Sequence, residues 1–474
     1  TNAGNSASAA AASALAAANT VATIPEGSID DLTTSLANVW SSSKVSTTMQ
    51  PLLVSGTTIK TISGVSLLGS GDVSLVTSVG DTLTTNRALP SPAWLPCDGS
   101  VYLQSSYAAL YSELGLIVST FGTKLTNPAP LPPTNALACS WDSTDTYLAV
   151  ACQNVNPRMA WYQRSGTTLN KLSDPASVPL GDVYDCAWGG SGGAYLAMAT
   201  NSSSTYPYIV VYSRSGTTLT KLPDPATGPT GVAYGCSWDS TGTYLAVAHQ
   251  IEPGLTVYQR SGGTLTKLTN PASLPVGSGR SCAWDPSGTY LAVGETNGNF
   301  MVWYQRSGTT LTKLSDPAVL PTGVCKSCAW DSTGTYLAFT HATAPFLTVY
   351  ERSGTTLTKL ADPATLPTTS NATYGKCSWG AAGNVLAITT DTSPYIRVYS
   401  RSGRSLVEIP APSTLPADIG NGCAVTSTGQ YVAVGHHTTP FITVYQTYTF
   451  DPATQFQVPV TQNTNLSTYI RATA

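Results

Sequence analysis

Residues Cys282–Leu314, CAWDPSGTYLAVGETNGNFMVWYQRSGTTLTKL, decide the fold, because they are one copy of a unit that recurs seven times. The leading cysteine stands at Cys139, Cys186, Cys236, Cys282, Cys328, Cys377 and Cys423, with spacings of 47, 50, 46, 46, 49 and 46 residues. A period this regular is the mark of a repeat architecture. Each unit holds four short runs rich in alternating, β-branched and aromatic residues. In the third copy these are the run through Cys236-Ser237-Trp238, then Tyr244–Val247, Leu255–Tyr258 and Thr264–Leu268. Glycine-bearing turns separate them, as at Asp239–Thr243 and Arg260-Ser261-Gly262. This pattern predicts four antiparallel strands per unit, the sheet size of a propeller blade.

The Trp-Asp-x-x-Gly-x-Tyr-Leu-Ala turn (Trp238–Ala246) and the Val-Tyr or Val-Trp-Tyr third strand resemble WD40-type repeats, although that family's terminal Trp-Asp dipeptide is missing. The resemblance implies the blade; fold alone does not carry that family's scaffolding role. The seventh copy stops after Phe441–Tyr445 and lacks its fourth strand, while Gly122–Leu125, ahead of the first cysteine, looks like a fourth strand without its blade. Pairing the two closes a seven-bladed ring and removes an exposed edge. The expected fold is mainly β, with the propeller over 121–447 and 121–132 assigned to blade seven.

Charged residues make up only 10% of the 474-residue chain, against about a quarter in an ordinary domain. With a net charge of −3 there is no basic footprint for nucleic acid and no polybasic membrane surface. No apolar run is long enough to span a bilayer, so no membrane insertion is expected. One cysteine per blade predicts small buried side chains between blades rather than a disulfide framework. Cys325-Lys326-Ser327-Cys328 has redox-motif spacing but sits in a strand-and-turn context, not at a helix start.

Residues 1–43 are Ala-rich and then carry Ile29, Leu32, Leu36 and Val39 at helical spacing, predicting helices that need self-association for a core. Residues 44–90 read as a β-rich segment. Within it QPLLVSGTTIKTISGVSLLGSGDV (50–73) resembles a segment of tailed-bacteriophage tail fibres, with Ser63 where that family usually has Asn. Trp94-Leu95-Pro96-Cys97-Asp98-Gly99 and Tyr107–Gly115 then resemble the start of a phage tail-collar domain. Its later pieces, Phe456-Gln457-Val458-Pro459 and Tyr469-Ile470-Arg471-Ala472, stand after the propeller. The propeller therefore reads as inserted in a small collar-like domain (91–120 and 448–474). The resemblance implies a homotrimer, other phage tail proteins as partners, and a place in the tail fibre or tip of a virion.

Function is expected where the blades differ, on the face shared by the second-to-third and fourth-to-first connections. Candidate ligand-binding residues there are Tyr184, Tyr234, Arg280, Lys326, Tyr374 and Lys376, just before the first strands, with Tyr206, Tyr208 and Phe300 from the second-to-third loops. Aromatic rings beside basic groups suit a sugar face or a partner's loop; packing at the start of a third strand explains the loop aromatics equally well. The repeated Arg164, Arg214, Arg260, Arg306, Arg352 and Arg401 are expected to make pairs within or between blades. The fifth residue after the Tyr of Tyr-Leu-Ala (or after its counterpart Val385) is Cys152, Thr200, His249, Glu295, His341, Thr390 and His436, read as a polar strand end facing solvent. The three histidines fall in non-adjacent blades, too far apart to share one ion, so no metal or other cofactor is expected. Scattered acids (Asp182, Asp185, Glu252, Glu295, Asp391, Asp418) form no paired-carboxylate site, and no nucleophile elbow or phosphate loop occurs, so no catalytic residue is assigned and no enzyme is expected. The functional expectation is a receptor-binding protein that attaches to a host-surface glycan or protein. The alternatives are a structural module docking to a virion protein and a surface-polysaccharide depolymerase.

Overall fold

The computed structural model describes residues 82–85, 94–96, 101–103, 122–202, 207–367, 375–380, 383–447, 455–457 and 467–471, and no α-helix occurs among them. The helices expected in 1–43, the fibre-like stretch at 50–73, the collar-like stretch Tyr107–Gly115 and the candidates Tyr206 and Tyr374 lie outside the described residues. The chain divides into two units, 1–95 with 463–474, and 96–462. In the first, Thr82–Thr85 runs antiparallel to Ser467–Arg471 with Leu83 opposite Tyr469. In the second, Val101–Leu103 pairs with Gln455–Gln457, Tyr102 opposite Phe456.

The second unit also holds seven sheets, whose first strands neighbour one another in a closed cycle. This is a seven-bladed propeller. In blade three, Ala233–Trp238, Tyr244–His249, Leu255–Ser261 and Thr264–Lys267 pair in sequence order, antiparallel throughout. Each strand's composition follows its depth. The second strand is packed on both sides and is buried at every position, so it reads as a continuous apolar run; the outermost strand alternates and buries little beyond Leu265. Asp239 sets the turn between the first two strands: one carboxylate oxygen accepts the N–H groups of Thr243 and Tyr244 at 2.7 and 2.8 Å, the other the Thr241 hydroxyl at 2.6 Å.

Two side-chain devices recur around the ring. The buried third-strand tyrosine of every blade donates its hydroxyl to a carbonyl of the connection entering that blade, as Tyr258 does to Thr227 at 3.0 Å and Tyr445 to Thr414 at 2.9 Å. The arginine after it spans two turns of its own blade, Arg260 donating from Nε to Gly242 at 2.6 Å and from Nη1 to Gly262 at 2.8 Å. Its guanidinium then lies over the tyrosine of the preceding blade, 3.8 Å from the Tyr195 ring centre. Arg164, Arg214, Arg306, Arg352 and Arg401 stack likewise on Tyr431, Tyr147, Tyr244, Tyr290 and Tyr336. Each such contact is worth about 0.5–2 kcal/mol. The seam between blades six and seven has no such pair among the described residues: Val385 replaces the tyrosine, blade seven lacks the arginine, and Val425 replaces the first-strand tryptophan. A cluster of Val385, Ile396, Val398, Val425, Val432 and Val434 fills the gap.

Blade seven has three strands of its own, Gly420–Val425, Tyr431–His436 and Ile442–Gln446. The residues before blade one complete it. Leu125 donates its N–H to Val444 at 2.8 Å, Gln446 donates to Thr123 at 3.0 Å, and Lys124 bridges Tyr445. Gly122 is required here, since a Cβ on it would lie 1.2 Å from the Gln446 carbonyl oxygen. Leu125 is buried in the core shared by blades one and seven.

Leu125→Pro removes one N–H bond of this closure and the leucine packing. An unpaired buried carbonyl costs about 1–3 kcal/mol and the lost side chain about 2 or more, so destabilisation of about 3–5 kcal/mol is expected in denaturant melts. The amides of Gln446 and Tyr431 should then show the largest loss of hydrogen-exchange protection; uniform loss over all blades would contradict a local seam.

Candidate functional site in the central channel

The first strands surround a channel with a cavity of about 330 Å³, lined by Asp185, Tyr234, Arg280, Lys326 and Lys376 at one level and by Trp141, Trp284, Trp330 and Trp379 further along. Four of the nine candidates, Tyr234, Arg280, Lys326 and Lys376, thus line the channel, and Tyr184 packs against Tyr234 beside it. Tyr184, Tyr234, Arg280 and Lys326 lie inside first strands, each at a register shift where the ladder skips one residue, as between Ala233 and Gly235 or Gly279 and Ser281. A β-bulge of this kind leaves one residue unpaired and re-aims its side chain. The same shift occurs in blade one at Leu137 and in blade seven at Asn421, so the device is general and the residue placed on it varies.

Within the channel, Lys376 of blade six reaches across to blade two. Its ammonium lies 2.5 Å from Asp185 Oδ1 and donates to the Tyr184 carbonyl at 3.0 Å. Burial acts to lower the Lys376 pKa, but the Asp185 carboxylate outweighs it and the net direction is upward. Asp185 also accepts the Cys236 N–H at 3.1 Å, so both its oxygens are used. Tyr184 and Tyr234 pack with ring centres 5.7 Å apart, and the Arg280 guanidinium lies 4.4 Å above the Tyr234 ring. Burial, with the neighbouring Arg280 charge, pulls Lys326 down to about 8.

Tyr208 and Phe300 stand apart from this cluster. Each ends a second-to-third connection by accepting a backbone hydrogen bond, Tyr208 from Thr200 at 2.8 Å and Phe300 from Glu295 at 3.0 Å, and Tyr208 packs against the core between blades two and three. Phe300 has φ of 60°, shared by Phe346, Tyr395 and Phe441 at 65–66°, where blade three has Gly254. Aromatic residues rarely adopt the left-handed region, so four of them there mark a rim conformation held by its surroundings.

The solvent-facing reading of the second-strand ends is corrected by the structure. His249, His341 and His436 are buried, and their Nε2 atoms sit 2.9–3.0 Å from the hydroxyls of Thr256, Thr348 and Thr443 on the third strand. Glu295 is also buried and accepts the Val276 N–H at 2.5 Å. The sequence does carry a signal: the blades with His here are the ones whose third strand reads Leu-Thr-Val-Tyr or Ile-Thr-Val-Tyr. No group of three His, Cys, Asp or Glu close enough to hold a metal occurs among the described residues. The nine described cysteines are free and buried, Cys325 and Cys328 included, and burial raises their thiol pKa values.

A likeness to solved structures follows from this geometry. The β-propeller domain of Cps50 (Swd1) from Myceliophteria thermophila superposes with a TM-score of 0.51 at 11% identity, covering 69% of this chain and 99% of that one. The fold is a WD40-like propeller. At that identity the likeness extends to the fold alone. No family model matches the chain, and no curated protein matches it.

The buried histidines make stability pH-dependent. Burial holds all three imidazoles down at about 4, below their ordinary value near 6.5, so between these values the unfolded chain binds more protons and stability falls as pH falls. Glu295, pushed up to about 7 by burial, acts oppositely, losing stability as pH rises from about 4.5 to 7. Three against one, the histidines win. The Tm should drop between pH 6.5 and 4, and replacing all three with Gln should flatten that limb; an unchanged slope in calorimetry would remove them as its cause.

Proposed function

We propose that this chain is a phage tail-fibre or tail-tip protein whose propeller attaches to a host-surface receptor. The observation that carries this reading is the pairing of segments from either side of the ring: Val101–Leu103 with Gln455–Gln457, and Thr82–Thr85 with Ser467–Arg471. In each pair one strand precedes the ring in sequence and the other follows it, as in a chain that carries an inserted module. Three of the four paired strands fall in the collar-like stretches 91–120 and 448–474, with Tyr469-Ile470-Arg471 inside one of them, and Thr82–Thr85 falls in the preceding fibre-like segment. Insertion suits a ring whose ends meet, because such a module adds function with little disturbance to its carrier.

The channel group fits recognition of a polar ligand. Tyr184, Tyr234 and Arg280 form a stacked, half-buried set on a rigid strand scaffold, offering aromatic faces and a cation at small entropic cost. With so few charges elsewhere on the chain, a polar but mostly uncharged glycan or protein surface is the natural complement.

The full 474-residue chain should bind saturably to cells of a susceptible strain and be displaced by that strain's extracted surface glycan or by protease treatment of the cells. Tyr234→Ala should weaken binding at least tenfold, about 1.4 kcal/mol or more, with the Tm nearly unchanged. Saturable binding that ignores this variant would move attachment away from the channel. Absence of binding across a strain panel, with the chain folded, would favour docking to another virion protein.

A further inference from the structure

The cavity is lined by three cations and one carboxylate, and that carboxylate is committed. Asp185 is taken by Lys376 and by the Cys236 N–H, leaving Arg280 and Lys326 side by side with no ion pair and no hydrogen bond among the described residues. Arg280 Nε is buried and without a partner. A guanidinium held over an aromatic face keeps its N–H groups in its own plane, where its outer edge can fork onto two oxygens. The Tyr234 ring fixes Arg280 in that pose, 4.4 Å from its centre. Neighbouring half-buried cations with no counter-charge repel each other and are partly desolvated, a cost that a bound anion offsets.

We infer that the Arg280–Lys326 end of the channel is a binding site for a single oxyanion, a carboxylate or a phosphate group. Arg280 supplies its Nη donors, Lys326 supplies Nζ, and the Lys376–Asp185 pair is the neutralised part of the lining. At about 330 Å³ the cavity has room for roughly ten waters, enough for a phosphate or a uronic acid residue. The low pKa of Lys326 agrees with an unmet counter-charge, since an anion beside it would restore the ordinary value. The site stands on the channel's own charges; its link to host attachment rests on the reading above, in which the oxyanion is an acidic group of the receptor.

The test uses the full chain in chloride-poor buffer at constant ionic strength, with inorganic phosphate, sulfate and glucuronate as probes. Calorimetric titration should show one site per propeller, and thermal melts should rise with the probe. A stronger response to glucuronate assigns a carboxylate, and a stronger response to phosphate assigns a phosphoryl group. Lys326→Met and Arg280→Gln should each weaken binding at least tenfold, while Arg404→Gln on the outer surface should leave it unchanged. Lys326→Met should also raise the Tm without probe, because it relieves the repulsion; a purely structural lysine would give a lower Tm. No response to any of the three probes, or an equal response in Lys326→Met, overturns the site. Anion binding lost in Lys326→Met with cell binding intact keeps the site and refutes only its link to attachment.

Discussion

A ring of sheets survives only if no sheet is left with an open edge, and here that condition rests on a few backbone hydrogen bonds between Thr123–Leu125 and Val444–Gln446. Closure by the chain's own start has two effects. It stops blade seven from offering its third strand to another molecule, and it ties blade seven to the beginning of the fold. The channel exists only as a consequence, since its lining comes from all seven first strands and the Lys376–Asp185 contact spans blades that are far apart in sequence.

Much of this was legible in the repeat itself. The period counts the blades, the truncated seventh copy with the solitary segment at 122–125 announces the closure, and the recurring arginines read as scaffold pairs, within or between blades. Less legible were features that depend on register. Tyr234 and Arg280 looked like loop residues because they precede the cysteine at variable positions. They are strand residues whose bulges turn them inward, and nothing in composition marks a bulge. The histidines misled for a related reason: a strand end next to a variable loop suggests solvent, but here the blade's own third strand, and in blades three and five Thr230 and Thr322 of the entering connection, close on the imidazole ring. Their pairing with threonine on the adjacent strand becomes visible only when blades are compared with each other.

The division of labour within a blade explains why so polar a chain folds. Outer strands hold Thr and Lys in water and bury little beyond one leucine each, while the first three strands carry nearly all the apolar burial. Specificity between blades is then added by groups with direction: the arginine over tyrosine, the tyrosine hydroxyl on a carbonyl, the aspartate in its turn. These interactions are individually modest, and repetition around the ring makes them collectively sufficient. Variation is thereby released to positions the scaffold does not need, including the bulge residues that reach the channel.

The aliphatic seam between blades six and seven makes the ring mechanically uneven. Across the other six seams an arginine locked to two turns cannot slide along its neighbour without leaving a ring face behind, so shear is resisted by geometry. Between Val385 and Val425 the contact is buried but has no preferred offset, since apolar burial is indifferent to small translations. Load carried around the circumference would therefore concentrate there, next to the blade that the chain's own start completes.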